Sequence, residues 1–463
     1  PVIEFTARKN AVTLVDHEQK QETTSGSGDP LADLRAISEQ WAYHTPPNAH
    51  EQGLLPDCVL GGWFGYSAYD SVRYAEPKKL GFEHAPKDDR NLPDISFGFY
   101  DELVIFDHVE KLVHLVKLVR VSPSDDPAAR YESALSDLDR LATRVQEHSK
   151  PLTLGRVPSS KPSRNEPMPC NTTHEEHASM IERAREYIEA GDIFQVVLGH
   201  RFERRANADP FDVYRSLRAV NPSPYMVYMQ TGGCILVASS PEILCRVRND
   251  EHGRAIVTNR PLAGTRRRGR TPEDDLAMER DLLNDPKEIS EHAMLVDLGR
   301  NDVGVVAKPG TIELSELMQI ERYSHVMHIS STVTGVIRDG LDCWDALRAA
   351  LPVGTISGAP KVRAMQIIDE LEKVRRGPYG GGLGWVSLDK QMDIALTLRT
   401  MVVPVDRFDE SNPDGAWEFH IQAAGGIVAD SLPELEYKET VNKAAALGAA
   451  IDLAERAFTD SRV

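Results

Sequence analysis

Apolar and polar residues alternate in short runs over residues 1–150, which is the pattern of half-buried β-strands. Ala11–Val15 and Leu112–Val119 are the clearest runs, and clusters of turn-forming residues separate them. Between them lies Gly61–Tyr66, where glycines would let strands or aromatic rings approach closely. The pattern therefore predicts a β-rich N-terminal domain over residues 1–150.

The pattern changes beyond this region. Residues 151–172 are polar and rich in proline, with little to bury, and they predict a linker. Thr173–Ala190 then has the apolar spacing of an amphipathic helix that ends at Gly191. Strand-like and helix-like segments mix from there onward, so residues 173–463 are predicted to form a larger α/β domain.

The composition of the chain argues against several classes of function. The chain is 41% hydrophobic and 27% charged, an ordinary globular balance, and it lacks the run of about eighteen apolar residues that a membrane span needs. A net charge of −18 argues against nucleic acid as a partner, because phosphate binding needs a basic face. Five cysteines without a CxxC spacing indicate free thiols in a reducing compartment.

Two pairs of glutamates share one spacing. Glu288 and Glu291 lie in a probable helix, and Glu436 and Glu439 precede another helical run. Residues three apart share a helix face, and two acidic faces around one cavity would repel each other unless a cation lay between them. All-oxygen ligands suit Mg²⁺. The same spacing also fits two solvated helix faces.

His328 lies in a strand-like segment, His325–Thr334, on the face that also carries Ser330 and Thr332. A histidine among hydroxyls can line a pocket and move protons near neutral pH. A histidine that is hydrogen-bonded for structural reasons is the alternative.

Leu351–Lys361 has the pattern of a loop that leads into a helix, with Ser357 as its cap and Pro360 in its first turn. The start of a helix offers free N–H groups to an anion, and an empty capped helix is the alternative. Glycines at Gly380–Gly384 precede a strand, a turn, and a strand predicted to contain Arg399. Ala423–Gly426 predicts a second turn. Both small-residue segments could bring backbone N–H groups to a carboxylate, and Arg399 could bind the same carboxylate in two places. Alternatively, the glycines belong to hairpins and Arg399 forms a surface ion pair.

Five strings, taken together and in order, resemble the chorismate-utilising enzymes over essentially the whole chain. The strings are Asp192–Val197, Ser240–Glu242, Arg260–Thr265, Met294–Asp302 and Leu351–Lys361. The chain is most similar to the anthranilate synthase large subunits, and Asp88–Asp94 resembles the plant members. The resemblance implies stacked, mostly antiparallel β-sheets flanked by helices, an α/β (α+β) fold with the site in a cleft.

The resemblance also implies residue roles. Glu291 and Glu439 would bind Mg²⁺ directly, and Glu288 and Glu436 would complete the acidic shell. Glu242 would be the general acid for the departing 4-hydroxyl of chorismate, with a pKa raised enough to stay protonated near pH 7. His328 would assist the later elimination of pyruvate. Chorismate would be held by Gly264, Thr265, Thr355, Tyr379, Arg399, Ala424, Gly425 and Gly426.

By the same resemblance, the expected reaction turns chorismate and ammonia into anthranilate and pyruvate through 2-amino-2-deoxyisochorismate, the first committed step of tryptophan biosynthesis. The ammonia would come from a separate glutaminase chain, because no glutaminase nucleophile is recognisable here. Tryptophan would inhibit through Asn221, Pro222, Pro224, Tyr225 and Met226. A companion inhibitor segment is expected before Pro1, so residues 1–463 alone should be less inhibited. The expected compartment is the plastid stroma in a plant or alga, and the cytoplasm otherwise.

Two other functions stay open at this point. An aminodeoxychorismate synthase of folate synthesis would often carry a nucleophilic lysine where this chain has Ala263, and isochorismate synthases carry a lysine base where it has Gln195. An inactive regulator that binds chorismate or tryptophan would not need the glutamates. The run Ala424-Gly425-Gly426 departs from the Gly-Ala-Gly common among relatives, which bears on the detail of the substrate pocket.

Overall fold

Strand formation follows the alternating pattern. The run at Ala11–Val15 lies in the strand Ala11–Asp16, and the run at Leu112–Val119 forms the strand Leu112–Lys117, which ends two residues earlier than predicted. A computed structural model of the chain describes residues 1–46, 49, 53–147, 152, 154–155, 168–323, 326–351, 353–412 and 415–458. Most of the predicted linker at 151–172 lies outside the described residues.

The strands are numbered here in chain order. They are β1 (Ile3–Arg8), β2 (Ala11–Asp16), β3 (Gln21–Gly26), β4 (Gly62–Ser67), β5 (Ile95–Tyr100), β6 (Glu102–Asp107), β7 (Leu112–Lys117), β8 (Gln195–Ala206), β9 (Tyr225–Thr231), β10 (Cys234–Ser240), β11 (Ile243–Asn249), β12 (Ala255–Arg260), β13 (Leu262–Arg267), β14 (Glu313–Arg322), β15 (Val326–Val336), β16 (Gly358–Ala359), β17 (Gly382–Ser387), β18 (Met392–Leu396), β19 (Thr400–Pro404) and β20 (Trp417–Ile427).

These strands form three sheets. The largest has twelve strands in the order β13-β15-β12-β11-β18-β17-β4-β5-β1-β2-β3, and β14 also pairs with β15. The second has six strands in the order β16-β8-β20-β19-β10-β9, and β6 pairs with β7 in a hairpin of its own. All of these strand pairs are antiparallel. The predicted antiparallel architecture is thereby confirmed.

Eleven α-helices lie among the described residues. They are α1 (Pro30–Ser38), α2 (Val72–Ala75), α3 (Pro127–Gln146), α4 (His174–Glu189), α5 (Pro210–Val220), α6 (Pro272–Leu283), α7 (Pro286–Val306), α8 (Cys343–Ala350), α9 (Gly354–Ser357), α10 (Lys361–Leu371) and α11 (Pro433–Phe458). At the start of α4, the hydroxyl of Thr173 and the carboxylate of Glu176 cap each other's backbone N–H groups. The helix predicted over Thr173–Ala190 is confirmed. No helix among the described residues combines the length and apolarity that crossing a membrane requires.

The two large sheets stack face to face. Tyr66 and Leu383 of the larger sheet pack against Leu236 and Val402 of the smaller one. On its other face the smaller sheet is covered by α5 and α11, whose apolar side chains form a second core with it. These layers are the flanked, stacked sheets that were predicted.

One sheet joins the two predicted domains. β4 pairs with β17 in a register that runs from Gly62 opposite Ser387 to Ser67 opposite Gly382. Strands from both sides of the predicted linker therefore share hydrogen bonds, and the domain boundaries at 150 and 173 remain a prediction. The five cysteines are free, as expected.

Two local predictions around the small-residue segments are wrong. Arg399 lies in the bend between β18 and β19, with a φ of 44°, and not within a strand. Ala424–Gly426 is not a turn, because it continues β20 and pairs with Val197–Gly199 of β8. The partner strand supplies the hydrogen bonds that make this glycine-rich run extended, which local propensity alone could not reveal.

The cap assigned to the Leu351–Lys361 segment is also wrong. Ser357 ends the short helix α9, where its hydroxyl donates to the carbonyl of Val353 at 2.6 Å. Pro360 is the N-cap residue of α10 and lies just outside its first turn. Two short elements, α9 and β16, replace the single loop, and Pro352 lies outside the described residues.

Candidate active site

The buried carboxyl group of Glu242 lies in the connection between β10 and β11. Its side chain is only 4% exposed, and its backbone carbonyl accepts a hydrogen bond from the N–H of Leu396 at 3.0 Å. Thr355 Oγ1, on α9, donates to Glu242 Oε1 at 3.1 Å. Burial raises the pKa of Glu242 to about 8, although the hydrogen bond from Thr355 works in the opposite direction. At neutral pH this group therefore holds a proton, which is the state a general acid needs.

His328 is fixed in one tautomer. Its Nδ1 lies 2.9 Å from the carbonyl oxygen of Gly264, which can only accept, so Nδ1 carries the proton. Thr265 Oγ1 lies 3.1 Å from the same nitrogen. Burial lowers the pKa of the imidazole, so the ring is neutral. Nε2 is buried and has no hydrogen-bond partner among the described residues, which leaves its lone pair available to take a proton.

Arg399 places a cation near this histidine. Burial lowers the pKa of its guanidinium, while the neighbouring phenol of Tyr323 acts in the opposite direction. The ring of Tyr323 also lies 5.7 Å from the ring of His328. Across the described ranges no carboxylate is paired with Arg399, so its charge is available to an anionic ligand.

Three of the four predicted glutamates lie against the small-residue strand. A Cβ atom at Gly425 would lie 3.4 Å from Glu436 Oε2 and 4.0 Å from Glu439 Oε1, and one at Gly426 would lie 3.9 Å from Glu291 Oε1. The fourth lies against β13, where a Cβ atom at Gly264 would lie 3.2 Å from Glu288 Oε2. The first two turns of α7 and of α11 thus place a carboxylate against glycine backbone at each of these positions.

Burial and neighbouring carboxylates raise the pKa of two of these glutamates. Burial, then Glu288 and Glu439, raise the pKa of Glu291, and burial followed by Glu439 raises that of Glu436. The other two glutamates have cationic partners, since Arg266 Nη1 lies 2.9 Å from Glu288 Oε1 and Lys443 Nζ lies 2.7 Å from Glu439 Oε1. No three of the four bring oxygen atoms within 4.8 Å of one another.

The remaining substrate candidates line the same region. Tyr379 is buried, which raises the pKa of its phenol, so the hydroxyl keeps its proton and can donate. The methyl group of Ala424 is 2.9 Å from where a Cβ at Gly199 would lie, so this methyl packs against the bare backbone of β8. Gln195 is buried beside Gly426, and its Oε1 has no partner in the described structure.

The predicted inhibitor segment splits between a cavity and the core. Pro224 and Tyr225 line a cavity of about 300 Å³, whose other walls include Pro241 and Tyr323. Met226 packs instead against the core under α5, Asn221 ends that helix, and Pro222 is exposed. Because Pro241 precedes Glu242 and Tyr323 contacts His328, this cavity adjoins the catalytic candidates.

Sequence reasoning missed two polar residues that line this cavity. Tyr225 donates to Asp393 Oδ1 at 2.7 Å, and Arg246 Nη2 donates to Tyr225 at 2.9 Å. Arg246 and Asp393 lie on β11 and β18, which are adjacent only in the folded sheet, so no spacing in the sequence identifies them.

One other acidic cluster has the composition of a metal site. Glu203, Glu418 and His420 bring ligand atoms within 4.8 Å of one another. Glu418 already pairs with Arg407 at 2.6 Å, and Glu203 pairs with Arg201 at 2.9 Å. The arginines satisfy these carboxylates, so the cluster is an ion-pair network.

A buried proton donor, a neutral imidazole, an available arginine and converging carboxylates define an enzyme site for a small anionic substrate. A profile of the family described as chorismate binding enzyme matches residues 4–449, and the chain belongs to this family.

The chain is also similar, over most of its length, to relatives that are named as anthranilate synthase subunits. The chain is 52% identical, over 99% of its length and 79% of the relative, to anthranilate synthase alpha subunit 1, chloroplastic, of Oryza sativa subsp. indica. It is 47% identical to anthranilate synthase component 1 of Pseudomonas putida, over 92% of this chain and 81% of the relative.

Solved structures agree. The crystal structure of anthranilate synthase component I from Streptococcus pneumoniae TIGR4 matches with a TM-score of 0.76 and 32% identity, over 96% of this chain and 90% of that one. The menaquinone-specific isochorismate synthase MenF from Escherichia coli matches with a TM-score of 0.63 and 19% identity, over 97% and 88%. This second likeness concerns the fold alone.

Proposed function

We propose that the chain is the large subunit of an anthranilate synthase and converts chorismate and ammonia into anthranilate and pyruvate. The relatives that match nearly its whole length carry this name. The observation that carries the proposal is the buried Glu242, whose pKa of about 8 keeps it protonated where a poor leaving group must depart. The reaction belongs to the carbon–oxygen lyases.

In the first step ammonia adds at C2 of chorismate and the 4-hydroxyl leaves. Hydroxide is a poor leaving group, so Glu242 donates its proton to that oxygen and water departs. The product is 2-amino-2-deoxyisochorismate. Thr355, already bonded to Glu242, stabilises the carboxylate that the transfer leaves behind.

In the second step a base removes the C2 proton, the bond from C3 to the enolpyruvyl oxygen breaks, and the leaving enolate takes up a proton at its methylene carbon to become pyruvate. Nε2 of His328 offers a lone pair for the C2 proton, because Nδ1 is committed to Gly264. Aromatisation of the ring drives this elimination. The hydrogen bond at Nδ1 also stabilises the imidazolium that forms.

Mg²⁺ fits this group of four glutamates, because burial and neighbouring carboxylates raise the pKa of Glu291 and Glu436, and a divalent cation would relieve that repulsion. Glu291 and Glu439 would hold the ion, with Glu288 and Glu436 in the surrounding shell. Bound there, it supplies positive charge that polarises the ring carboxylate of chorismate. The other anionic group of the substrate is gripped by Arg399 and Tyr379, with Gly264, Thr265 and the Ala424–Gly426 backbone around the ring.

The ammonia comes from a separate glutaminase subunit, consistent with relatives whose names call them an alpha subunit or component 1. Tryptophan, the end product, acts as inhibitor in the cavity lined by Pro224 and Tyr225. The plant relatives are named chloroplastic, which supports the plastid stroma as the compartment.

Two residues favour this reaction over its relatives. Gln195 cannot act as the base that activates water in an isochorismate synthase. Ala263, which pairs with Ile329 on β15, offers no nucleophile to the ring. Direct attack by ammonia at C2 is the chemistry left to this site.

The test is to incubate the purified chain with chorismate, Mg²⁺ and an ammonium salt at mildly alkaline pH. Anthranilate, detected by its fluorescence, and an equal amount of pyruvate are expected. Aminodeoxychorismate without pyruvate would indicate the folate enzyme instead. Binding of chorismate without turnover would indicate a regulator.

A further inference from the structure

Arg376 is a buried cation that bonds the backbone of two segments next to candidate site residues. Its side chain is 2% exposed and lies between α10 and β17. Nη1 donates to the carbonyl of Ile356 at 2.6 Å, and Nη2 donates to the carbonyl of Val197 at 2.7 Å. Ile356 follows Thr355 on α9, and Val197 lies opposite Gly426 in the sheet.

Glu372 holds this guanidinium in place. Arg376 Nε donates to Glu372 Oε2 at 2.9 Å, and Nη2 donates to Glu372 Oε1 at 2.5 Å. Glu372 Oε1 also accepts from the backbone N–H of Gly199 at 2.8 Å. The guanidinium lies over the ring of Tyr69, with 4.6 Å between Cζ and the ring centroid. A two-pronged charge pair of this kind has a fixed geometry, and lysine cannot reproduce it.

We propose that Arg376, held by Glu372, is a positioning residue that sets α9 against β8 and thereby keeps Thr355 within reach of Glu242. The same clamp fixes the β8 backbone behind Gly425 and Gly426. For its activity readout the inference rests on the proposed function, but its spectroscopic readout does not.

The clamp acts on reactivity through one hydrogen bond. Burial and the Thr355 hydroxyl are the two influences on the Glu242 carboxyl, and they act in opposite directions. If α9 moves, Glu242 stays buried but loses its hydrogen bond from the Thr355 hydroxyl. Glu242 then becomes a weaker acid without any change in its own residue or in its neighbours on β10.

The test compares Arg376→Lys and Glu372→Gln with the matched control Arg375→Lys. Arg375 is also buried and ion-paired, but its partners Asp70 and Asp94 lie away from the cavity. In the apo protein, the infrared band of the protonated carboxyl is assigned by its loss in Glu242→Gln. It should titrate at higher pH in both test variants and at the wild-type pH in Arg375→Lys.

The activity arm uses a double-mutant cycle. Arg376→Lys should lower kcat on the order of tenfold to a hundredfold, as misplacement of a catalytic contact does. In a Thr355→Val background the same change should cost less than about twofold, because the contact it positions is already gone. Circular dichroism and Tm show whether each variant is folded.

Equal infrared titration in the folded wild type and Arg376→Lys would overturn the proposal, as would fully additive losses in the cycle. If neither Arg376→Lys nor Glu372→Gln folds, the pair is a stability element and the proposal fails. If the wild type makes no anthranilate, the proposed function fails, and the infrared titration still decides the role of Arg376.

Discussion

Thr355 Oγ1 donates a hydrogen bond to Glu242 Oε1 across 3.1 Å, and this is the one polar contact made by the buried carboxyl oxygens in the structure as described. The bond favours the charged form, while burial favours the neutral one. Their balance leaves an acid that is protonated at neutral pH but can still release its proton. The two residues come from segments more than a hundred positions apart, and the fold brings α9 against the connection between β10 and β11.

Turnover should fall as pH rises through about 8 when free ammonia is held constant, because only protonated Glu242 donates. Glu242→Gln should lower kcat by about 10²–10⁴-fold and remove this limb of the profile. The measurement is kcat against pH at saturating chorismate and Mg²⁺. A profile in Glu242→Gln that still matches the wild type would contradict the assignment.

The same group links stability to pH. Its folded pKa of about 8 is above the ordinary value of 4.5, so the folded state binds the extra proton between these values. The stabilisation is fully present below pH 4.5 and is lost as pH rises through about 8. Tm measured across this window should therefore fall less steeply in Glu242→Gln than in the wild type. Parallel curves would argue against a protonated Glu242.

His328→Asn separates structure from chemistry. Asparagine can still donate to the carbonyl of Gly264, but it lacks the lone pair that Nε2 offers. Anthranilate formation should fall by about 10²–10⁴-fold while 2-amino-2-deoxyisochorismate accumulates, as measured by chromatography of quenched reactions. Wild-type product ratios in a folded His328→Asn variant would show that the histidine is structural only.

Glu439→Gln should abolish Mg²⁺-dependent turnover and weaken Mg²⁺ binding by at least about tenfold in calorimetric titrations. Glu434→Gln is the matched control, because Glu434 is another exposed glutamate near the start of α11 but it pairs with His174. It should bind Mg²⁺ as the wild type does. Equal affinities for the two variants, or full activity in excess EDTA, would remove the metal from the mechanism.

Tyr225→Ala should raise the tryptophan inhibition constant on the order of tenfold, because it removes an aromatic wall and the contact with Asp393. Tyr228→Ala is the control, since Tyr228 is on the same strand and packs against Phe211. Inhibition is measured with and without added tryptophan at fixed chorismate. An unchanged constant in Tyr225→Ala would place the inhibitor elsewhere.

Short-range patterns in the sequence predicted the local structure around several candidate site residues. The spacing of Glu288 with Glu291 predicted one helix face, because side chains three apart on a helix point the same way. The alternation around His328 likewise predicted its strand. What no pattern reveals is that the glutamates at the starts of α7 and α11 come close enough to influence one another, since that depends on how each helix packs on a different sheet.

Glycine-rich runs misled the same reasoning. Ala424–Gly426 has the composition of a turn but is a strand, because β8 supplies partners and Gly199 makes room for the methyl of Ala424. No pattern in the sequence singles out Arg376, since an arginine between a helix and a strand is common and has no characteristic spacing. Its role depends on carbonyl groups from two distant segments, which only the fold brings within its reach.

The pairing of β4 with β17 has a consequence for how the protein is made. During translation Gly62 leaves the ribosome long before Ser387 is synthesised. The edge of β4 that pairs with β17 therefore lacks its hydrogen-bond partners through most of synthesis. Such long-range closure is slow, and nascent strands left open in this way are prone to stick to one another. We therefore expect the newborn chain to depend on chaperones, and a fragment cut between the two strands to aggregate.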